Sequence, residues 1–296
     1  MTATALERPC TAQNSPSGAG SSAEPGRGRR RLLAVAWSVT LAAMLLLGFV
    51  GYLFALSGLQ EARHQSTAYA TLRDQLGKAT APTGPTADGA PLAVLDIPAL
   101  GLHQAVVVEG TSGRDLMRGP GHRRDTVLPG QPGVAVLFGR STAFGAPFAG
   151  LGGLQTGDGI DVTTGQGSFH YTVNASGDGE HPIRDTAPNR LVLVTGDSDW
   201  IPGSTVLIGA RLDGEPQPLG ARRPAAAPTD KALAADKGAL SALQLWSLAL
   251  LLAVVGAGVT ARHWRRSATY LCFTPVAAAL LWAVYENAAA LLPNVY

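Results

Sequence analysis

Cysteine is almost missing from this chain. Of 296 residues only Cys10 and Cys272 carry a thiol, so nothing from residue 11 to residue 271 can form a disulfide or act as a thiolate. Cys10 lies in a polar N-terminal stretch and Cys272 in an apolar run near the other end, which excludes a disulfide framework. No CxxC pair and no Cys/His ligand set can be drawn either, so no metal site and no cofactor is expected. A cysteine-free middle suits an oxidising exterior. Charge is also scarce: 15% of residues are charged and 6% aromatic, and 23 Lys+Arg against 21 Asp+Glu leave a net +2. That balance is too small for the electrostatic footprint of a nucleic-acid binder.

What the chain has instead is long uncharged runs and many turn formers, with 36 glycines and 20 prolines. "LLAVAWSVTLAAMLLLGFVGYLFALSGL" (32–59) and "ALSALQLWSLALLLAVVGAGVTA" (239–261) contain no charge, and "SATYLCFTPVAAALLWAVYENAAALLP" (267–293) contains one acid, Glu286. Each exceeds the roughly 20 residues that cross a bilayer as a helix. Pro275 and Glu286 leave a re-entrant or terminal amphipathic helix open for the third run, and Glu286 is expected near the interface. Arg27, Arg29, Arg30 and Arg31 precede the first run; Arg262, Arg265 and Arg266 separate the second from the third. The positive-inside rule puts both clusters in the cytoplasm, so residues 60–238 and Tyr296 are expected outside, in a multi-pass cell-membrane protein. A cleaved signal peptide is the competing reading of the first run, and the run is about twice the length of a typical h-region.

The remaining segments follow from composition. Residues 1–31 read as a disordered basic tail and 262–266 as a basic cytoplasmic loop. Residues 60–91 read as a polar helix followed by a Pro/Gly linker, and 213–238 as a Pro/Ala linker able to hold a domain off the bilayer. Between them, 92–212 reads as an all-β domain. Short β-branched runs at 91–98, 104–109, 133–139, 159–165, 168–176, 190–196 and 204–212 are separated by turn residues, the pattern of a closed barrel or a sandwich of about eight strands. The one helix candidate is "TSGRDLMRGPG" (111–121), with Thr111 or Ser112 as its N-cap. "LVLVTGDSDW" (191–200) ends a strand on glycine and a polar cluster, a place where enzymes expose a nucleophile.

Three further motifs in this domain resemble the sortase family. The "IPALGL" turn (97–102) is similar to the family's opening strand and turn. "GPGH" (119–122), followed by "LPGQPG" (128–133), is similar to its second motif. "GAPF" (145–148), with Leu151, Leu154, Gly157, Asp158 and Ile160, is similar to its third. Sortases are membrane-tethered extracytoplasmic transpeptidases of Gram-positive bacteria, and this core is most similar to the actinobacterial class E. The resemblance implies a closed β-barrel over about 120 residues. It also implies a cysteine that attacks a sorting peptide, a histidine that protonates the leaving amine and an arginine that stabilises the oxyanion.

At the positions that match this triad the chain has Arg140 in "FGRSTAFGAPF", Gly196 in "LVLVTG" and Thr205 in "TVLIGA". None of the three is the family residue. The resemblance therefore implies a catalytically inactive, sortase-like protein that binds or scaffolds at the cell envelope. Its partners would be the membrane and an exported peptide, a true sortase or other envelope proteins. The alternative is a transpeptidase or hydrolase working through other residues: Ser198 with His122 as base and Asp197 or Asp199 as orienter. Asp-Ser-Asp is more simply a surface turn, and two aspartates fall short of a calcium site. Arg140 and Arg211 are expected beside the groove, either paired with Asp197 or Asp199 or holding a peptide carboxylate.

Overall fold

The computed structural model describes residues 26–184, 187–197, 203–220, 225, 228–263 and 266–296. It divides into two units, residues 1–47 and residues 48–296. In the first, the described part belongs to helix α1 (Gly26–Gly51). Everything below concerns the second.

A five-residue π-helical turn, Tyr52–Leu56, leads from α1 into α2 (Ser57–Gly77), so the apolar run and the polar helix expected after it are one continuous helical stretch. The turn ends where the Ser57 hydroxyl donates back to the main-chain oxygen of Leu53. Helices α3 (Ala239–His263) and α4 (Arg266–Ala290) occupy the second and third runs, and Pro275 lies inside α4. Among the described residues, three helices are thus long and apolar enough to cross a membrane.

Between α2 and α3 lies a closed eight-stranded barrel. Its strands are β1 (Pro91–Ile97), β2 (Leu102–Glu109), β3 (Gly121–His122), β4 (Val134–Phe138), β5 (Gly159–Thr164), β6 (Gly167–Asp178), β7 (Arg190–Gly196) and β8 (Thr205–Asp213). They close in the order β1-β2-β3-β4-β7-β8-β6-β5. The β2–β3 and β4–β7 pairs are parallel and the others antiparallel. The expected helix at 111–121 is only a 3-10 turn, Asp115–Met117. Gly119 at φ 144 and Pro120 directly after it stop any longer helix.

Strands β4 and β7 read as unbroken apolar runs because both of their faces are covered. Ala135, Leu137, Leu191 and Leu193 point into the barrel with Leu95, Ile97, Phe148, Ile160 and Val162. The alternate residues, Phe138, Val192 and Val194, point outward and are buried by Leu116 and Val295, with Ala232 and Leu233 packed at the margin. A strand buried on one side alternates apolar and polar residues; these strands cannot. Val295 follows the last helix, and Ala232 and Leu233 come from the Pro/Ala segment. That segment is therefore no free spacer: Asp230 is buried, ion-pairs with Arg124 at 2.8 Å, and its main-chain oxygen accepts from Thr111 Oγ1 at 3.2 Å.

Candidate functional site

Register and alternation decide what shares a face with Phe138 and Val194. Parallel pairing sets Phe138 opposite Val194. The ladder runs on past the strand end, where Gly139 N donates to Val194 O at 3.0 Å and Thr195 Oγ1 donates to Gly139 O at 2.9 Å. Antiparallel pairing sets Val194 opposite Leu207 and Gly196 opposite Thr205. One step of two residues along each strand then places Arg140, Gly196 and Thr205 together at one end of the outer face. Gly139 is fixed by packing, since a Cβ there would lie 2.4 Å from the Phe148 ring.

Arg140 is completely buried. Its Nη2 donates to Gly113 O at 2.9 Å and its Nη1 to Tyr296 O at 3.4 Å, while its guanidinium carbon stands 4.8 Å from the centre of the Phe144 ring. Nε has no hydrogen-bond partner among the described residues. Burial pushes the guanidinium pKa down to about 10, and the phenols of Tyr52 and Tyr296 act in the opposite direction. The group therefore stays charged at neutral pH, held by carbonyl dipoles and an aromatic face in place of an acid. It does not pair with Asp197. The loop after it is wound tightly: Phe144, Gly145 and Ala146 have φ of 54°, 74° and 44°. Two non-glycine residues in the left-handed region need a surrounding that over-determines them. Ser57 Oγ supplies part of it by accepting from Phe144 N at 3.0 Å.

The segment after α4 closes over this end of the barrel. Asn294 and Val295 are fully buried and Tyr296 nearly so. Asn294 Nδ2 donates to Thr111 O at 2.8 Å and to Lys231 O at 3.0 Å, and its own N–H donates to Ala234 O at 3.0 Å. Val295 O accepts from Ser141 N at 3.2 Å and from Ser141 Oγ at 3.2 Å. Tyr296 packs with Tyr52, Met117, Phe144 and Ala289. Val295 thus fills the outer groove between β4 and β7, beside the Arg140 position.

The other expected groove residues are placed elsewhere. His122 is buried on β3, two strands from β7, with Nδ1 3.4 Å from Glu109 and Nε2 2.9 Å from Val127 O. Both ring nitrogens are engaged, so His122 is a structural histidine and not a base free to serve a hydroxyl. Asp197 accepts from Gly203 N, Ser204 N and Ser204 Oγ at 3.1, 3.2 and 3.1 Å, tying together the ends of the β7–β8 loop. Arg211 sits opposite Arg190 at the far end of β8 and pairs with Asp213 at 3.5 Å. Ser198 and Asp199 lie outside the described residues. Among the described residues, no group of His, Cys, Asp and Glu is arranged to hold a metal.

Residues 95–200 match the family model of the sortase domain. The closed eight-stranded barrel matches the sortase fold. Solved structures similar to the chain include the sortase D5 transpeptidase of Clostridium perfringens, at 21% identity over 51% of this chain and 99% of that one, with a TM-score of 0.45. Sortase E of Streptomyces avermitilis is similar at 27% identity over 44% and 91% of the two chains, TM-score 0.38. The sortase SrtF of Corynebacterium diphtheriae is similar at 24% over 45% and 90%, TM-score 0.40. Among curated proteins none matches the chain.

At this end of the barrel, the contribution that sequence reasoning missed is the plug: Gly113, Phe144 and the 294–296 segment. Its one legible signal was Pro293, which ends a helix two residues before an apolar Val-Tyr pair that has no reason to be exposed. Gly196 offers no side chain, and Arg140 is buried with its guanidinium bonded to Gly113 O and Tyr296 O.

Proposed function

We propose that this protein is a membrane-anchored, extracytoplasmic and catalytically inactive relative of the class E sortases. It would act by binding or scaffolding at the cell envelope. The observation that carries this reading is the glycine at 196: no residue from 60 to 238 is a cysteine, so covalent catalysis by a thiolate is impossible in that domain. Loss of the acid and the oxyanion donor would each remove a further factor on the order of 10²–10⁴. The arginine clusters in the first turns of α1 and around the α3–α4 connection support an orientation with the barrel outside. An exported peptide, a true sortase or another envelope protein would then meet the outer walls of a barrel whose groove already holds residue 295. The test is a fluorogenic sorting peptide incubated with the purified full-length protein, with and without a thiol reagent. The reading requires no turnover; turnover that survives alkylation would overturn it and point to Ser198.

A further inference from the structure

A polar cavity opens where the barrel meets the helix ends. It encloses about 320 Å³ and is lined by Gln60 and His64 of α2, Arg114, Met117 and Arg118 of the barrel, Trp246 of α3, and Glu286 and Asn287 of α4. A second, more apolar hollow of about 570 Å³ shares Gln60, His64 and Glu286 with it and adds Leu56, Leu59, Arg63 and Trp282. Both volumes are of the size that small ligands fill.

Position and charge define what would fit. Trp246 lies in the second turn of α3 and Glu286 in the last two turns of α4. The two helices pack together across a two-residue connection, so these ends lie together at the end of the pair away from that connection, beside the barrel loop that carries Arg114 and Arg118. Trp246 and Trp282 are 43% and 38% exposed, and Leu56 and Leu59 are 41% and 61% exposed. Indoles at a helix end above exposed leucines are the usual composition of a membrane interface.

The charged groups here lack their opposites. Among the described residues, Arg63, His64 and Arg118 have no acid within ion-pair distance, and Glu286 has no cation. Glu286 accepts one long hydrogen bond, from Gln60 Nε2 at 3.4 Å; Gln60 is itself held by Tyr52, whose hydroxyl donates to Oε1 at 2.9 Å. Arg114 is partly satisfied, by Asn287 Oδ1 at 2.7 Å and Asp236 at 3.6 Å. Arg118 and Glu286 in the first hollow and Arg63 and Glu286 in the second stand without ion-pair partners, which leaves room for a ligand carrying both signs.

We propose that this cavity binds the headgroup of an amine-bearing phospholipid. The phosphate lies against Arg118, Arg63 and His64, the primary ammonium donates to Glu286, and the acyl chains run along Leu56, Leu59 and Trp282. A phosphate alone would leave Glu286 facing like charge, and an amine alone would leave the arginines unmatched. The cavity adjoins the plug through Met117 and Tyr52, but none of the proposed headgroup contacts is Arg140, Gly196 or Thr205, so the proposal stands whether or not the barrel is silent.

Native mass spectrometry of the delipidated full-length protein tests this, with phosphatidylethanolamine, phosphatidylcholine and phosphatidylglycerol in competition. Phosphatidylethanolamine is expected to be retained over the other two by about ten-fold, the worth of one charge-assisted hydrogen bond. Glu286→Gln should erase that preference while phospholipid still binds. Arg63→Gln with Arg118→Gln should weaken all three lipids, with the melting temperature unchanged. Soluble glycerophosphoethanolamine should not displace the lipid, because it lacks the chains. Equal retention of all three lipids, a preference that survives Glu286→Gln, or full displacement by the soluble headgroup would each overturn the proposal.

Discussion

The guanidinium of Arg140 donates to the main-chain oxygen of Tyr296 at 3.4 Å. This contact ties the end of β4 to the segment that follows α4. Arg140 is therefore a fastener, and its charge is answered by Gly113 O, Tyr296 O and the Phe144 ring.

Arg140→Met keeps the bulk but leaves both oxygens without their donor. Hydrogen exchange is expected to rise at residues 112–115 and 293–296 and the melting temperature to fall, while exchange in β5 and β6 stays unchanged. Arg140→Lys should fall between the two, because an ammonium cannot fork to both oxygens.

Asn294→Ala removes the donor to Thr111 O and Lys231 O, both inside the plug. An unsatisfied buried carbonyl costs roughly 1–3 kcal/mol, so the segment should undock locally. Limited proteolysis should then cut within 228–236 faster than in the parent protein. Cleavage at the parent rate would show that Asn294 does not hold the plug.

Much of this architecture could be read from residue order. The seven strand runs lie within a few residues of β1, β2 and β4–β8, because alternation and turn glycines are local signals. The two-residue β3 was missed, since Gly121–His122 has too few residues for a pattern. The parallel β4–β7 pair was legible only as unbroken hydrophobicity, which does not say what covers the outer face. The convergence of Arg140, Gly196 and Thr205 followed from the family motifs. The burial of Arg140 did not, because its cover comes from a residue 156 positions away and pairs through a main-chain oxygen that leaves no trace in side-chain identity. Arg211 was misplaced for a related reason: six residues along β8 is the whole length of the hairpin.

Alkaline stability has a specific source in Tyr171. Its hydroxyl accepts from Gly130 N at 2.7 Å, and burial raises its pKa from 10.0 to about 12. A raised folded-state pKa means the native state holds the proton longer than the unfolded chain. The stability it contributes is complete below pH 10 and lost as pH climbs from 10 to about 12. Arg140, lowered to about 10, works the other way over the range above 10. Tyr171→Phe should flatten the loss between pH 10 and 12 in a melting-temperature series; an unchanged slope would contradict the assignment.

Orientation can be checked by labelling. In a Cys10→Ser, Cys272→Ser background, Ala87→Cys lies in an exposed turn before β1. A membrane-impermeant maleimide should label it in intact cells, and protection until lysis would reverse the topology.

The central claim is that a sortase site has lost its chemistry and is covered by residues 293–296. It is tested most directly by Gly196→Cys, with Arg140 kept so that its bonds to Gly113 O and Tyr296 O still hold the cover, and labelling with a thiol-directed vinyl-sulfone probe. Labelling is measured in a Cys10→Ser, Cys272→Ser background, with the chain intact and with it ended after Leu292. The account predicts slow labelling of the intact Gly196→Cys variant and at least about ten-fold faster labelling once the cover is removed, the scale of a buried thiol gaining access to solvent. Equal labelling with and without residues 293–296, or none in either, would contradict it.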